Sequence, residues 1–91
     1  MFKQNLQLLV ARVLKQSDSW KTLYFITEAA LELDTGKNYP LPQIEHKLAV
    51  ARVLKELYKK GIIERKEVEL HKRTLKRRFF RRSEWRLKPL E

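Results

Sequence analysis

Apolar residues recur along this chain with two different periods, and the change from one to the other falls at Gly61. Over residues 3–16, Leu6, Leu9, Val10, Val13 and Leu14 follow the i, i+3, i+4, i+7, i+8 spacing that gathers side chains on one face of an α-helix, with Lys3, Arg12 and Lys15 off that face. The polar cluster Ser17-Asp18-Ser19 then supplies side chains able to cap a new helix by accepting its first free N–H groups. A second helix is predicted over 20–34, with Leu23, Ile26, Ala30 and Leu33 on one stripe and Trp20, Tyr24 and Leu31 beside it. Gly36 stops it. Residues 37–42, which hold Pro40 and Pro42, run extended because the residue before a proline is pushed out of the α region. A third helix is predicted over 43–60, with Ile44, Leu48, Ala51, Leu54 and Tyr58 on one side and Val50 and Leu57 adjoining.

After Gly61 the period becomes two. Ile62, Glu64, Lys66, Val68 and Leu70 alternate with Ile63, Arg65, Glu67 and Glu69, and a second alternating run, 79–88, is rich in aromatic and basic residues. This pattern predicts a two-stranded β-hairpin over 62–88. If Val68 and Leu70 share a face with Trp85 and Leu87, that face packs on the helices while Glu67 and Glu69 sit across from Arg82 or Arg86. The expected fold class is α+β, three helices followed by a two-stranded hairpin, in a single domain covering 1–91. The hexapeptide VARVLK stands at both 10–15 and 50–55, but its flanks differ in kind. Two amphipathic helices, each burying Val and Leu and exposing Arg and Lys, explain it more simply than a duplication.

Composition sharpens this picture through charge. The 21 Lys and Arg residues outnumber the 11 Asp and Glu residues, for a net +10. Seven of those 21 basic residues and none of the 11 acidic ones lie between His71 and Arg82, leaving 14 against 11, or +3, for everything else. The excess is therefore local and sits where the hairpin turns, a distribution suited to a polyanion. With no Cys, thiol nucleophiles, disulfides and Cys-ligated zinc are excluded and a reducing intracellular setting is expected. No apolar run is long enough to span a bilayer, so no membrane insertion is expected. Catalysis is not expected either, since there is no glycine-rich phosphate loop and only His46 and His71 could act as a base near neutral pH; neither a cofactor nor a metal is implied.

The run from Val50 through Arg65, VARVLKELYKKGIIER, resembles the recognition helix and first wing strand of winged helix-turn-helix DNA-binding proteins, the small prokaryotic, archaeal or viral regulator type. The physical basis lies in Leu54 and Leu57 seating the helix, Gly61 reversing the backbone and Ile62 opening the strand. The likeness is close over these residues and extends loosely to the whole chain through the order helix, helix, helix, strand, basic loop, strand. The chain departs from the family in the long stretch 34–42 before the third helix. Either the second helix is followed by a long connection, or a turn near Leu48-Ala49 splits the third segment.

Size implies a homodimer, since one recognition helix offers few base contacts, with the N-terminal helix (Phe2, Leu6, Leu9 and Val13) as its surface; the resemblance implies sequence-specific binding of double-stranded DNA and transcriptional regulation in the cytoplasm at the nucleoid. It places the third helix in the major groove, where the candidates are Gln43, His46, Lys47, Arg52 and Lys55. Arg52 leads, because a guanidinium can fork to the O6 and N7 of guanine; pairing with Glu45 or Glu56 on the same helix is its competing role. His46 has no second ligand at metal spacing, and a surface or boundary position is its simpler explanation. In the wing, Lys72, Arg73, Lys76, Arg77, Arg78 and Arg81 are the candidates for neutralising phosphates. Two other readings stay open at this point. One is RNA or single-stranded nucleic acid, on which Phe79, Phe80 and Trp85 could stack; the other is a protein-interaction module in a replication or ribosomal assembly, or one that lies on an anionic surface through its acid-free N-terminal helix.

Overall fold

The structure is a computed structural model that describes residues 2–17, 19–70 and 80–89, the side chains at 69, 70, 80 and 81 excepted. It is a small α+β fold of three helices and a three-stranded antiparallel sheet. Helix α1 (Leu6–Lys15) opens at Asn5, whose side-chain oxygen accepts the Leu8 N–H at 3.4 Å. It lays Leu9, Val10, Val13 and Leu14 into the core. The segment before it is tied to the second helix by Asp34, whose carboxylate accepts the backbone N–H groups of Lys3 and Gln4, each at 2.9 Å.

The first departure from the sequence pattern comes next. The chain forms a two-residue strand, β1 (Lys21–Thr22), before helix α2 (Leu23–Thr35) begins. Thr22, rather than the Ser17-Asp18-Ser19 cluster, caps α2: its hydroxyl accepts the Phe25 N–H at 3.2 Å. Lys21 and Thr22 are held extended because they pair with the last strand, Lys21 opposite Trp85 and Thr22 opposite Glu84, so the helix predicted from Trp20 starts three residues later. At the other end Gly36 takes φ 86° and ψ −166°, a region open essentially to glycine alone. The Tyr39 side chain reaches back to α2 from the connection that follows. Desolvation there, and then the carboxylates of Glu28 and Glu32, raise its pKa above the ordinary tyrosine value.

Helix α3 (Ile44–Lys59) is continuous, so the long connection, and not a turn at Leu48-Ala49, accounts for the departure at 34–42. It ends at Gly61, φ 77°, where the Gly61 N–H donates to the Tyr58 carbonyl at 3.0 Å and the Ile62 N–H to the Leu57 carbonyl at 3.1 Å. This pair of bonds satisfies two of the last carbonyls of the helix, where the chain reverses into a strand. Strands β2 (Ile63–Leu70) and β3 (Phe80–Leu87) pair antiparallel, and β3 lies central in the order β1-β3-β2.

The register differs from the expected one by a flip of faces. Ile63 pairs with Leu87, Arg65 with Trp85 and Glu67 with Ser83, so Trp85 and Leu87 share their face with Ile63 and not with Val68 and Leu70. Ile63 sets this choice. It is the first strand residue after the turn and is buried in the helical core, and a slip of one residue would turn it outward. The charges that meet across the strands are Glu64 with Arg86, at 2.9 Å, and Lys66 with Glu84, at 4.0 Å; Glu67 faces Ser83 and Glu69 faces Arg81. Glu84, only 8% exposed, also takes Arg82 at 3.0 Å. Trp20 covers this outer face, with Lys66 Nζ at 4.8 Å and the Arg86 guanidinium at 4.5 Å from its ring, contacts worth about 0.5–1 kcal/mol each at exposed sites.

One core joins the elements: Leu9, Val10, Val13 and Leu14 of α1, Ile26 and Ala30 of α2, Val50, Leu54 and Leu57 of α3, and Ile63 of β2. Leu9 and Val13, two of the residues expected to pair copies of the chain, are consumed by it, and Phe2 and Leu6 pack against it. Among the described residues no helix is long and apolar enough to cross a membrane.

The buried face of α3 is Val50, Leu54 and Leu57, while Ile44 and Leu48, both expected in the core, are 73% and 57% exposed and Tyr58 is 49% exposed. Leu54→Ala is accordingly expected to cost about 2–5 kcal/mol, and Leu48→Ala to stay within about 0.5 kcal/mol, in urea unfolding. Similar losses for the two would mean that α3 is rotated from the orientation described.

Candidate nucleic-acid interface

The exposed face of α3 follows directly from the burial of Val50, Leu54 and Leu57. Turning 100° per residue, the opposite side of the helix carries Ile44, Leu48, Arg52, Lys55 and Lys59, all of them exposed. Among the described residues no carboxylate forms an ion pair with Arg52, Lys55 or Lys59. The competing role for Arg52 is thus not seen in the fold: Glu56 instead accepts a hydrogen bond from Gln7 of α1 at 3.1 Å. With no acidic partner among the described residues, these three cations leave one helix face open to an anion.

The five helix residues singled out by sequence do not all converge. Arg52 and Lys55 share the solvent face. Gln43 stands exposed at the start of the helix, its side-chain amide donating to the Leu41 carbonyl at 3.3 Å. His46 is turned inward, where its Nδ1 accepts the Gln43 backbone N–H at 3.0 Å and its ring meets Phe2 edge-on at 5.6 Å. Lys47 leans the other way, toward α2, with its ammonium 5.3 Å from the Tyr24 ring. Lys72, Arg73, Lys76, Arg77 and Arg78 lie outside the described residues; Arg81 occupies β3 opposite Glu69, its side chain outside the description.

Sequence reasoning missed the sheet's share in this surface. Between α3 and the helix-facing side of the hairpin lies a cleft of about 410 Å³, lined by Ala51, Lys55, Tyr58, Lys59, Arg65 and Trp85. Arg65 is held there by Ser83, whose hydroxyl accepts from Nε at 3.1 Å and Nη2 at 2.9 Å, and by Glu67 at 3.3 Å. The alternation Ile63, Arg65, Glu67 already placed Arg65 on the face of Ile63. What hid it was the assignment of Ile63 to the solvent side.

No family model matches the chain, and no curated protein or solved structure matches it. The surface is therefore read from its own chemistry: two aromatic and three cationic side chains around a cleft, beside an apolar and cationic helix face. If His46 serves the start of α3 rather than a ligand, His46→Ala should cost roughly 1 kcal/mol in denaturant unfolding, the worth of one hydrogen bond, whereas Lys55→Ala, at an exposed position, should stay within about 0.5 kcal/mol.

Proposed function

We propose that this protein is a winged-helix DNA-binding protein that recognises double-stranded DNA by sequence and acts in transcriptional regulation. The observation that carries this reading is the solvent face of α3, where Arg52, Lys55 and Lys59 lack acidic partners among the described residues and stand beside a hairpin attached by only Lys60-Gly61-Ile62. The element order supports it: three helices, then two strands that pair antiparallel.

In this reading α3 enters the major groove. Arg52 forks to a guanine with Lys55 beside it, Gln43 meets the duplex from the start of the helix, and exposed Ile44 and Leu48 meet thymine methyl groups, the apolar feature of that groove. Lys72, Arg73, Lys76, Arg77, Arg78 and Arg81 follow the phosphates, which fixes position without reading sequence. Two copies pair on a two-fold site, the common way for one short helix to gain specificity. With Leu9 and Val13 in the core, Leu8, 65% exposed on the outer side of α1, is the apolar residue that helix offers a second copy.

Selection of bound sequences from a random duplex pool should enrich one pattern. On that pattern Arg52→Ala should lose about 1–3 kcal/mol while random duplex is little affected. Replacing the contacted thymines by deoxyuridine, which removes only the methyl group, should weaken the parent protein and leave the Ile44→Ala, Leu48→Ala double variant unmoved. No enrichment, or equal losses for Arg52→Ala on both duplexes, would overturn the proposal.

A further inference from the structure

We infer that the cleft between α3 and the hairpin seats one unstacked nucleotide, so that the protein prefers a duplex carrying an unpaired base to an unbroken one. The inference rests on the duplex-binding reading and goes beyond it, since an unbroken duplex keeps its bases stacked inside and offers this cleft only phosphate and sugar.

Its size and lining carry the assignment. About 410 Å³ lies within the range of small-ligand sites, and Ala51, the smallest side chain of the lining, leaves that space unfilled. Tyr58 and Trp85 contribute aromatic surface that a phosphate alone has no use for, whereas every base has a π-face that stacks on such rings. Lys55 and Lys59 stand one turn apart at the cleft, with no acidic partner among the described residues, and suit the phosphates on either side of the seated base. Arg65 is different in kind. Ser83 and Glu67 fix its guanidinium, so it offers an oriented plane that can stack on a base or bond to its edge, with part of its charge already answered by Glu67. An apolar peptide side chain would fit the rings but leave the lysines unanswered, and a free phosphate would fit the lysines but leave the rings wet.

The test compares three labelled probes of one sequence at fixed salt: a blunt duplex, the same duplex with one bulged nucleotide, and that bulge made abasic. The bulged duplex should bind roughly fivefold to a hundredfold more tightly than the other two, the range of a single base-on-aromatic stack. Tyr58→Ala should bring that ratio to about one and Tyr58→Phe should keep it; Tyr58 is half exposed and outside the core, so both variants should fold. Equal binding of all three probes, an advantage shared by the abasic bulge, or a ratio that survives Tyr58→Ala would overturn the cleft assignment and leave the duplex reading standing. Loss of binding to the blunt duplex alone, with the bulged probe still held through Tyr58, would instead overturn the duplex reading and leave the cleft.

Discussion

The arrangement depends on one constraint: Leu57 at the end of α3 and Ile63 at the start of β2 are buried in the same core, with the tight reversal at Lys60-Gly61-Ile62 between them. Two anchors so close in sequence leave the helix and the strand little freedom to move apart. Gly61 makes the reversal possible, since its φ of 77° is strained for any side chain, although nothing lies within 4 Å of where a Cβ would stand. A cationic helix face and a β-hairpin are thereby fixed as the two walls of one concave surface.

The hairpin is held on its other face by different forces. Glu84 lies on the central strand, nearly buried, and draws in Lys66 and Arg82; Glu64 takes Arg86; and Trp20 lies over Lys66 and Arg86. Each pair has a solvent-exposed cation, and such pairs are individually weak. Their effect is one of distribution: Glu64 and Glu84 neutralise cations on the outer face, while Lys55 and Lys59 of α3, which have no acidic partner among the described residues, line the cleft. The short strand β1 fastens the assembly, because Thr22 both pairs with the central strand and caps α2.

Much of this was legible in the sequence. The three helices and the hairpin follow from the two periods, and their ends lie within about three residues of the pattern's limits. The faces were harder to read. In α3 two overlapping stripes, one through Ile44, Leu48 and Ala51 and one through Val50, Leu54 and Leu57, are equally helical, and only packing against α1 and α2 selects the second. In the hairpin a one-residue ambiguity between Ile62 and Ile63 decided which side of the sheet met the core. The strand β1 carries no periodic signal in two residues; its evidence lies across the sheet in Trp85 and Glu84. Arg52 and Lys55 could be picked out because they are polar in either reading of the helix, and the cleft could not, because it exists only once both faces are fixed.

The most direct test of the central claim is the salt dependence of binding to duplex DNA. Each phosphate neutralised releases condensed counterions, so the logarithm of the association constant should fall linearly with the logarithm of salt concentration, with a slope near −0.9 for every phosphate contacted. A joint surface of helix and basic hairpin predicts a steep line corresponding to several phosphates. A flat line, or no association at the lowest salt, would contradict it.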